Sequence, residues 1–141
     1  MNMKPSLLFG AVIAACGLAG CVTPFRAPAD VAHIKLEPAN SPVVSVEKIW
    51  LERKKGELVL TGYAIKELGV TDTTQTHLDV TFLNVNGQVL RSSIEHFEPR
   101  QIPRGHRMHG HSQYRVALDP LPPDTARIRV GAHEGEHPRN P

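Results

Sequence analysis

The chain is poor in several things that common function classes need. Its 141 residues hold two cysteines, and its aromatics amount to one Trp, two Tyr and four Phe. A net charge of +2 is too small for a nucleic-acid binder, which would carry a basic face or stripe. Twelve prolines and eleven glycines argue against a bundle of long helices. No G-x-S-x-G is present, and Ser92-Ser93 have no paired base nearby in sequence, so a nucleophile constellation is not visible. With 40% hydrophobic and 21% charged residues, the composition is that of an ordinary globular chain rather than a disordered one.

The most informative segment is the first. Lys4 supplies a positive start, and residues 6–16 (SLLFGAVIAAC) form an apolar stretch of signal-peptide length, too short to span a bilayer as a helix. It runs into Leu18-Ala19-Gly20-Cys21, where small residues before a cysteine suit a peptidase cleft and leave one thiol to take a lipid. The alternatives are an ordinary secretory signal that contains a cysteine, or an N-terminal anchor. The pattern resembles the lipobox of bacterial lipoproteins. That resemblance implies cleavage before Cys21, a thioether-linked diacylglycerol on its sulfur and usually an acylated amine. Two or three acyl chains anchor far more firmly than one, at about 0.8 kcal/mol per buried methylene. Val22 rather than Asp after the cysteine implies, by the same resemblance, outer-membrane delivery facing the periplasm.

Loss of residues 1–20 would remove Cys16 and Lys4, lowering the net charge from +2 to +1. With Cys21 lipidated, no disulfide is expected, and the core must hold the fold alone. Residues 21–42 carry four prolines and no sustained period, and read as the lipidated cysteine and a tether. The remainder is enough for one modest core.

From residue 43 the pattern is strand after strand. Residues 43–53 are followed by a Lys54-Lys55-Gly56 turn. Residues 57–65 contain Gly62, read as a bulge or a close backbone approach. Residues 77–84 alternate Leu78, Val80 and Phe82 against Asp79 and Thr81. Asn86-Gly87 predicts a type I′ hairpin, with 88–94 returning. After a proline-containing loop, 112–118 and 126–132 complete six to seven strands. A small antiparallel β-sandwich over 43–132 is expected, with a disordered tail over 133–141. The order of the Asn86-Gly87 hairpin, Ile102-Pro103-Arg104-Gly105, the Leu121-Pro122-Pro123 corner and the Ile128/Val130 strand resembles immunoglobulin-like or FxLYD-like domains of bacterial envelope proteins. Such a fold implies no particular activity. Trp50, Tyr63, Phe82, Phe97 and Tyr114 are expected in the core and its corners.

Two overlapping sites are suggested by the segment before the sixth strand. His106, His109 and His111 fall within six residues. Strand parity puts His109 and His111 on one face with Arg107, Gln113 and Arg115, where two imidazoles can share a Zn or Cu ion. Met108 would add a soft thioether, although parity turns it and His106 the other way. Arg100, Arg104, Arg107 and Arg115 make the same stretch a local basic patch, with no acid between Glu98 and Asp119. It suits phosphates or an acidic glycan, with more charge as histidines protonate near pH 6. The plainer alternative is a solvated strand end. His133-Glu134-Gly135-Glu136-His137 matches H-E-x-x-H, but a zinc protease needs that motif on a helix, and here a strand precedes it and Pro138 follows.

The expectation is a non-enzymatic, lipid-anchored outer-membrane protein acting as a binding or assembly module. It would meet another envelope protein or polymer, and no nucleic acid, through strand edges or the segment 100–115. The alternative is a periplasmic Zn- or Cu-binding protein using His106, Met108, His109 and His111.

Overall fold

Alternation becomes strand in every segment where it is expected, and in one more. The computed structural model describes residues 26–104 and 110–135. A single 3-10 turn, Ala29–Val31, precedes β1 (Lys35–Ala39), β2 (Val44–Lys54), β3 (Glu57–Lys66), β4 (Thr76–Leu83), β5 (Val89–Glu95), β6 (His111–Ala117) and β7 (Arg127–Glu134). The strands form a four-stranded sheet in the order β1-β7-β4-β5 and a three-stranded sheet in the order β2-β3-β6. This is a small all-β sandwich of seven strands, six of them in the segments expected and β1 the seventh.

The two inner faces follow the period of two. Leu78, Val80 and Phe82 on β4 and Ile128 and Val130 on β7 face Val46 and Leu51 on β2, Leu58 and Leu60 on β3, and Tyr114 and Val116 on β6. The segment between β5 and β6 crosses from one sheet to the other and plugs the core with Phe97 and Ile102, both fully buried. A short antiparallel bridge holds it to β6, with Glu98 and Gln113 exchanging backbone hydrogen bonds of 2.9 and 3.1 Å.

Three expectations are corrected. Residues 29–39 are not tether: Val31 and Ile34 belong to the core, and β1 runs parallel to β7, pairing Leu36 with Ile128. The sheet is therefore not wholly antiparallel. Pro38 is tolerated because β1 is an edge strand, where a missing N–H interrupts no ladder on its open side. At the other end β7 continues through His133 and Glu134, two residues into the expected tail.

The hairpin turns also exchange chemistry. Of the Asn86-Gly87 pair only Gly87 has positive φ (+81°), and Gly87 N–H donates to Asn84 O at 3.0 Å. This is a type I turn closed by a left-handed glycine, with a bulge in the ladder at Leu83. The Asn84 carboxamide oxygen accepts from the N–H groups of Asn86 and Gln88 at 2.9 and 3.0 Å, which favours the longer loop. Type I′ geometry occurs instead between β2 and β3, where Lys55 (φ +52°) and Gly56 (φ +89°) join the paired Lys54 and Glu57.

Candidate binding face

The outer face of the three-stranded sheet carries an aromatic row. Its cause is strand parity: Trp50 on β2 lies opposite Thr61 on β3, and Tyr63 lies opposite Gln113 on β6. The Trp50 and Tyr63 rings are 5.8 Å apart at 49°, and the His111 ring meets Tyr63 edge-on at 5.3 Å. Lys48 Nζ stands 5.9 Å from the Tyr63 centroid, at the outer limit of a cation–π contact. Trp50 is buried as expected, but on this outer face rather than between the sheets, and Tyr63 is half-buried beside it. Phe82, Phe97 and Tyr114 lie in the inter-sheet core.

Arg115 projects from the same face, opposite Thr61, and is exposed. Thr61 is buried and donates to Glu52 Oε1 at 2.8 Å, so the middle of the face is internally bonded while its rim carries Arg115, His111 and Lys48. Glu47 and Glu52 add acidic groups on the β2 side, and the cationic character is therefore concentrated towards β6.

The expected site residues separate. His111 and Arg115 share this face, as parity requires, with Tyr114 and Val116 turned into the core. Arg104 is exposed at the end of the crossing segment. Arg100 is withdrawn from the patch: its Nη2 donates to Thr74 O at 2.6 Å, which fastens the crossing segment to the loop between β3 and β4. His106, Arg107, Met108 and His109 lie outside the described residues, as does Cys21. Among the described residues no group of three His, Cys, Asp or Glu is placed to hold a metal ion.

One cluster escaped the sequence. On the outer face of the four-stranded sheet, His77 and His133 are register partners, with ring centroids 5.2 Å apart. His77 Nε2 lies 3.5 Å from Asp79 Oδ1. Parity alone places His77 beside Asp79, but only the β4–β7 register brings His133 to them. His133 and Glu134 sit in a strand and Gly135 has φ +77°, so the start of H-E-x-x-H is not helical. Elsewhere a shallow depression of about 430 Å³ beside the β4–β5 hairpin is lined by His33, Asn84 and Asp124 among others, without a nucleophile and base in hydrogen-bonding contact.

Compared with known proteins, the chain matches no family model, no curated protein and no solved structure.

Proposed function

We propose that the chain is a non-enzymatic, lipid-anchored envelope protein. In this reading an acylated Cys21 holds it to the outer membrane, and the sandwich faces the periplasm as a binding module for an acidic envelope polymer. One observation carries the binding half. Tyr63, His111 and Arg115 share one face, and His111 is preceded in sequence by Arg104, His106, Arg107 and His109. A planar ring beside guanidinium and imidazole groups suits a sugar-phosphate surface, which offers both a flat apolar ring face and anionic oxygens. The anchoring half is supported by the Leu18-Ala19-Gly20-Cys21 sequence behind its short apolar run. Among the described residues no helix is long and apolar enough to cross a membrane.

Two measurements test the halves separately. Cys21→Ala should move the full-length chain from the membrane fraction to the soluble one; unchanged fractionation overturns lipid anchoring. Binding to lipopolysaccharide vesicles should fall when Arg104 and Arg115 are both changed to Glu, and should weaken with added salt. Equal binding by wild type and the double variant, or none by either, overturns the acidic-polymer reading.

A further inference from the structure

The four-stranded sheet ends on one side in β5, whose outer edge has no strand beside it among the described residues. Its other edge is taken by β4. Edge strands are commonly guarded by charged side chains, above all lysine, by proline or by a strong bulge. The two charges of β5, Arg91 and Glu95, repel strands of the wrong pattern but are opposite in sign. β5 reads Val-Leu-Arg-Ser-Ser-Ile-Glu, with neither lysine nor proline. Its one irregularity lies at the start, where the ladder shifts between Phe82 and Leu83, and this leaves 91–95 as a regular strand. Along that stretch Ile94 is 54% exposed on the outer face of the sheet, beside Ser92 and near Leu90.

The charges give this edge a specific complement. Arg91 and Glu95 lie on the same side of β5, one on each side of Ser93, since Arg91, Ser93 and Glu95 pair with Phe82, Val80 and Leu78. Arg91 is held in place by its guanidinium over the Phe82 ring at 4.3 Å and by Nη1 donating to Pro120 O at 2.9 Å. Neither Arg91 nor Glu95 has an ion-pair partner among the described residues.

We propose that the chain forms a two-fold dimer by antiparallel pairing of β5 with β5 of a second copy, centred on Ser93. In that register Arg91 of each copy faces Glu95 of the other, twice over, and Ile94 faces Ser92. The two four-stranded sheets become one continuous sheet of eight. A shift of the centre to Arg91 would oppose two arginines, and a centre at Glu95 two glutamates, so the charges select the register. A two-fold axis through Ser93 satisfies both copies with one self-complementary surface. The inference is independent of the lipid anchor and of the face carrying Tyr63, His111 and Arg115.

The test uses charge complementation in the full-length chain, in mild detergent, read as sedimentation mass. Wild type should be a dimer. Arg91→Glu places glutamates against glutamates and Glu95→Arg places arginines against arginines. Each alone should weaken dimerisation about tenfold, from two repulsive contacts replacing two attractive ones. An equimolar mixture of the two variants restores both pairs and should recover the dimer. As a check that leaves the charges intact, Ser93→Cys should be captured as a disulfide dimer under mild oxidation, because directly opposed Cα atoms fall within disulfide reach. Leu68→Cys, on an exposed loop outside the sheets, and the wild-type chain serve as controls and should give no such species. A monomeric wild type overturns the proposal. So does a dimer that ignores the charge substitutions, or a mixture that fails to recover. If a charge variant does not fold, the Ser93→Cys result decides alone.

Discussion

A Cβ on Gly62 would lie 2.2 Å from the Tyr114 hydroxyl oxygen and 2.5 Å from the ring carbon that bears it. The two residues are register partners on β3 and β6, so the tyrosine ring lies across the bare glycine backbone. On the other side of Gly62, β2 bulges at Lys48 (φ +50°), where two residues face the single glycine. The glycine is thus the space into which the largest fully buried side chain of the core is packed. Gly62→Ala should cost about 2–3 kcal/mol in denaturant unfolding, because the ring is fixed on all sides and overpacking must displace it. Changing Tyr114 to Phe should not rescue that variant, since the ring carbons remain in the way. An unchanged melt for Gly62→Ala would mean that the ring is not seated on the glycine.

The Tyr114 hydroxyl is buried with no hydrogen-bond partner among the described residues, and burial raises its pKa well above the ordinary phenol range. An unpartnered buried hydroxyl costs free energy that a phenyl ring does not. Tyr114→Phe should therefore be neutral or stabilising by about 1 kcal/mol in the same unfolding measurement. A clear loss of stability would show that the hydroxyl has a bonded partner.

Glu37 concentrates the charge contacts between β1 and β7. Lys35 Nζ lies 3.2 Å from its carboxylate, Arg129 Nη2 at 3.3 Å and Arg127 Nη1 at 3.6 Å. The hydrogen bond from Lys35 is the largest influence on the carboxyl; desolvation opposes it, and Arg129 and then Arg127 add to it, leaving the pKa below the ordinary glutamate value of 4.5. A carboxyl whose pKa is depressed on folding adds stability above its unfolded pKa and loses it as pH falls through the folded value. Wild type should lose stability on acidification below the ordinary glutamate range. Glu37→Gln should start lower at neutral pH and change less between about pH 6 and pH 3. Denaturant midpoints across that range decide it, and parallel curves for the two proteins would remove Glu37 from the acid response.

What the sequence made legible was set by periodicity. β4 and β7 alternate because one side of each faces the core, so Leu78, Val80, Phe82, Ile128 and Val130 were assignable from spacing. The close approach at Gly62 was also readable, as a lone glycine in a strand of large side chains. β1 was hidden for a physical reason: Pro38 lies within it and Pro42 soon follows, in a short edge strand whose only ladder is a parallel one to the last strand. His77 meeting His133 was hidden for a related one. Parity gives the face of each strand, whereas register between strands distant in sequence depends on the whole sandwich closing. The candidate face was read in part, since His111 and Arg115 share it as expected. Aromatic bulk alone points to burial, which holds for Trp50, but strand parity sets Trp50 and Tyr63 on the outer face instead of between the sheets.

Thr73 ties the loop between β3 and β4 to the crossing segment. Its hydroxyl donates to Arg100 O at 2.7 Å and accepts from Ile102 N–H at 2.9 Å, while the residue is almost fully buried. Ile102 O in turn accepts from Lys66 Nζ at 3.0 Å. Thr73→Val keeps the volume but strands the buried Ile102 N–H, and should cost about 2 kcal/mol. Thr73→Ser should cost much less, because it keeps both bonds. Equal losses for Val and Ser would place the effect in packing rather than in the hydrogen bonds.

Ile34 separates a tether from a structural strand. It is 7% exposed, its N–H donates to Val31 O at 3.0 Å, and its side chain joins the core cluster just before Lys35 N–H bonds Ala126 O at 3.0 Å. These contacts lead the chain into the parallel ladder with β7, which would otherwise be the open edge of the sheet. A tether residue can lose its side chain with an effect within about 0.5 kcal/mol, the range of surface substitutions. Ile34→Ala removes buried methyl groups from beneath that edge and should cost about 2–4 kcal/mol. Amide hydrogen exchange in the same variant should quicken first in β1 and along the β7 positions facing it, from Arg127 to Gly131, before the β3–β6 ladder responds. A fully wild-type melt and exchange pattern would return residues 29–39 to the role of a linker.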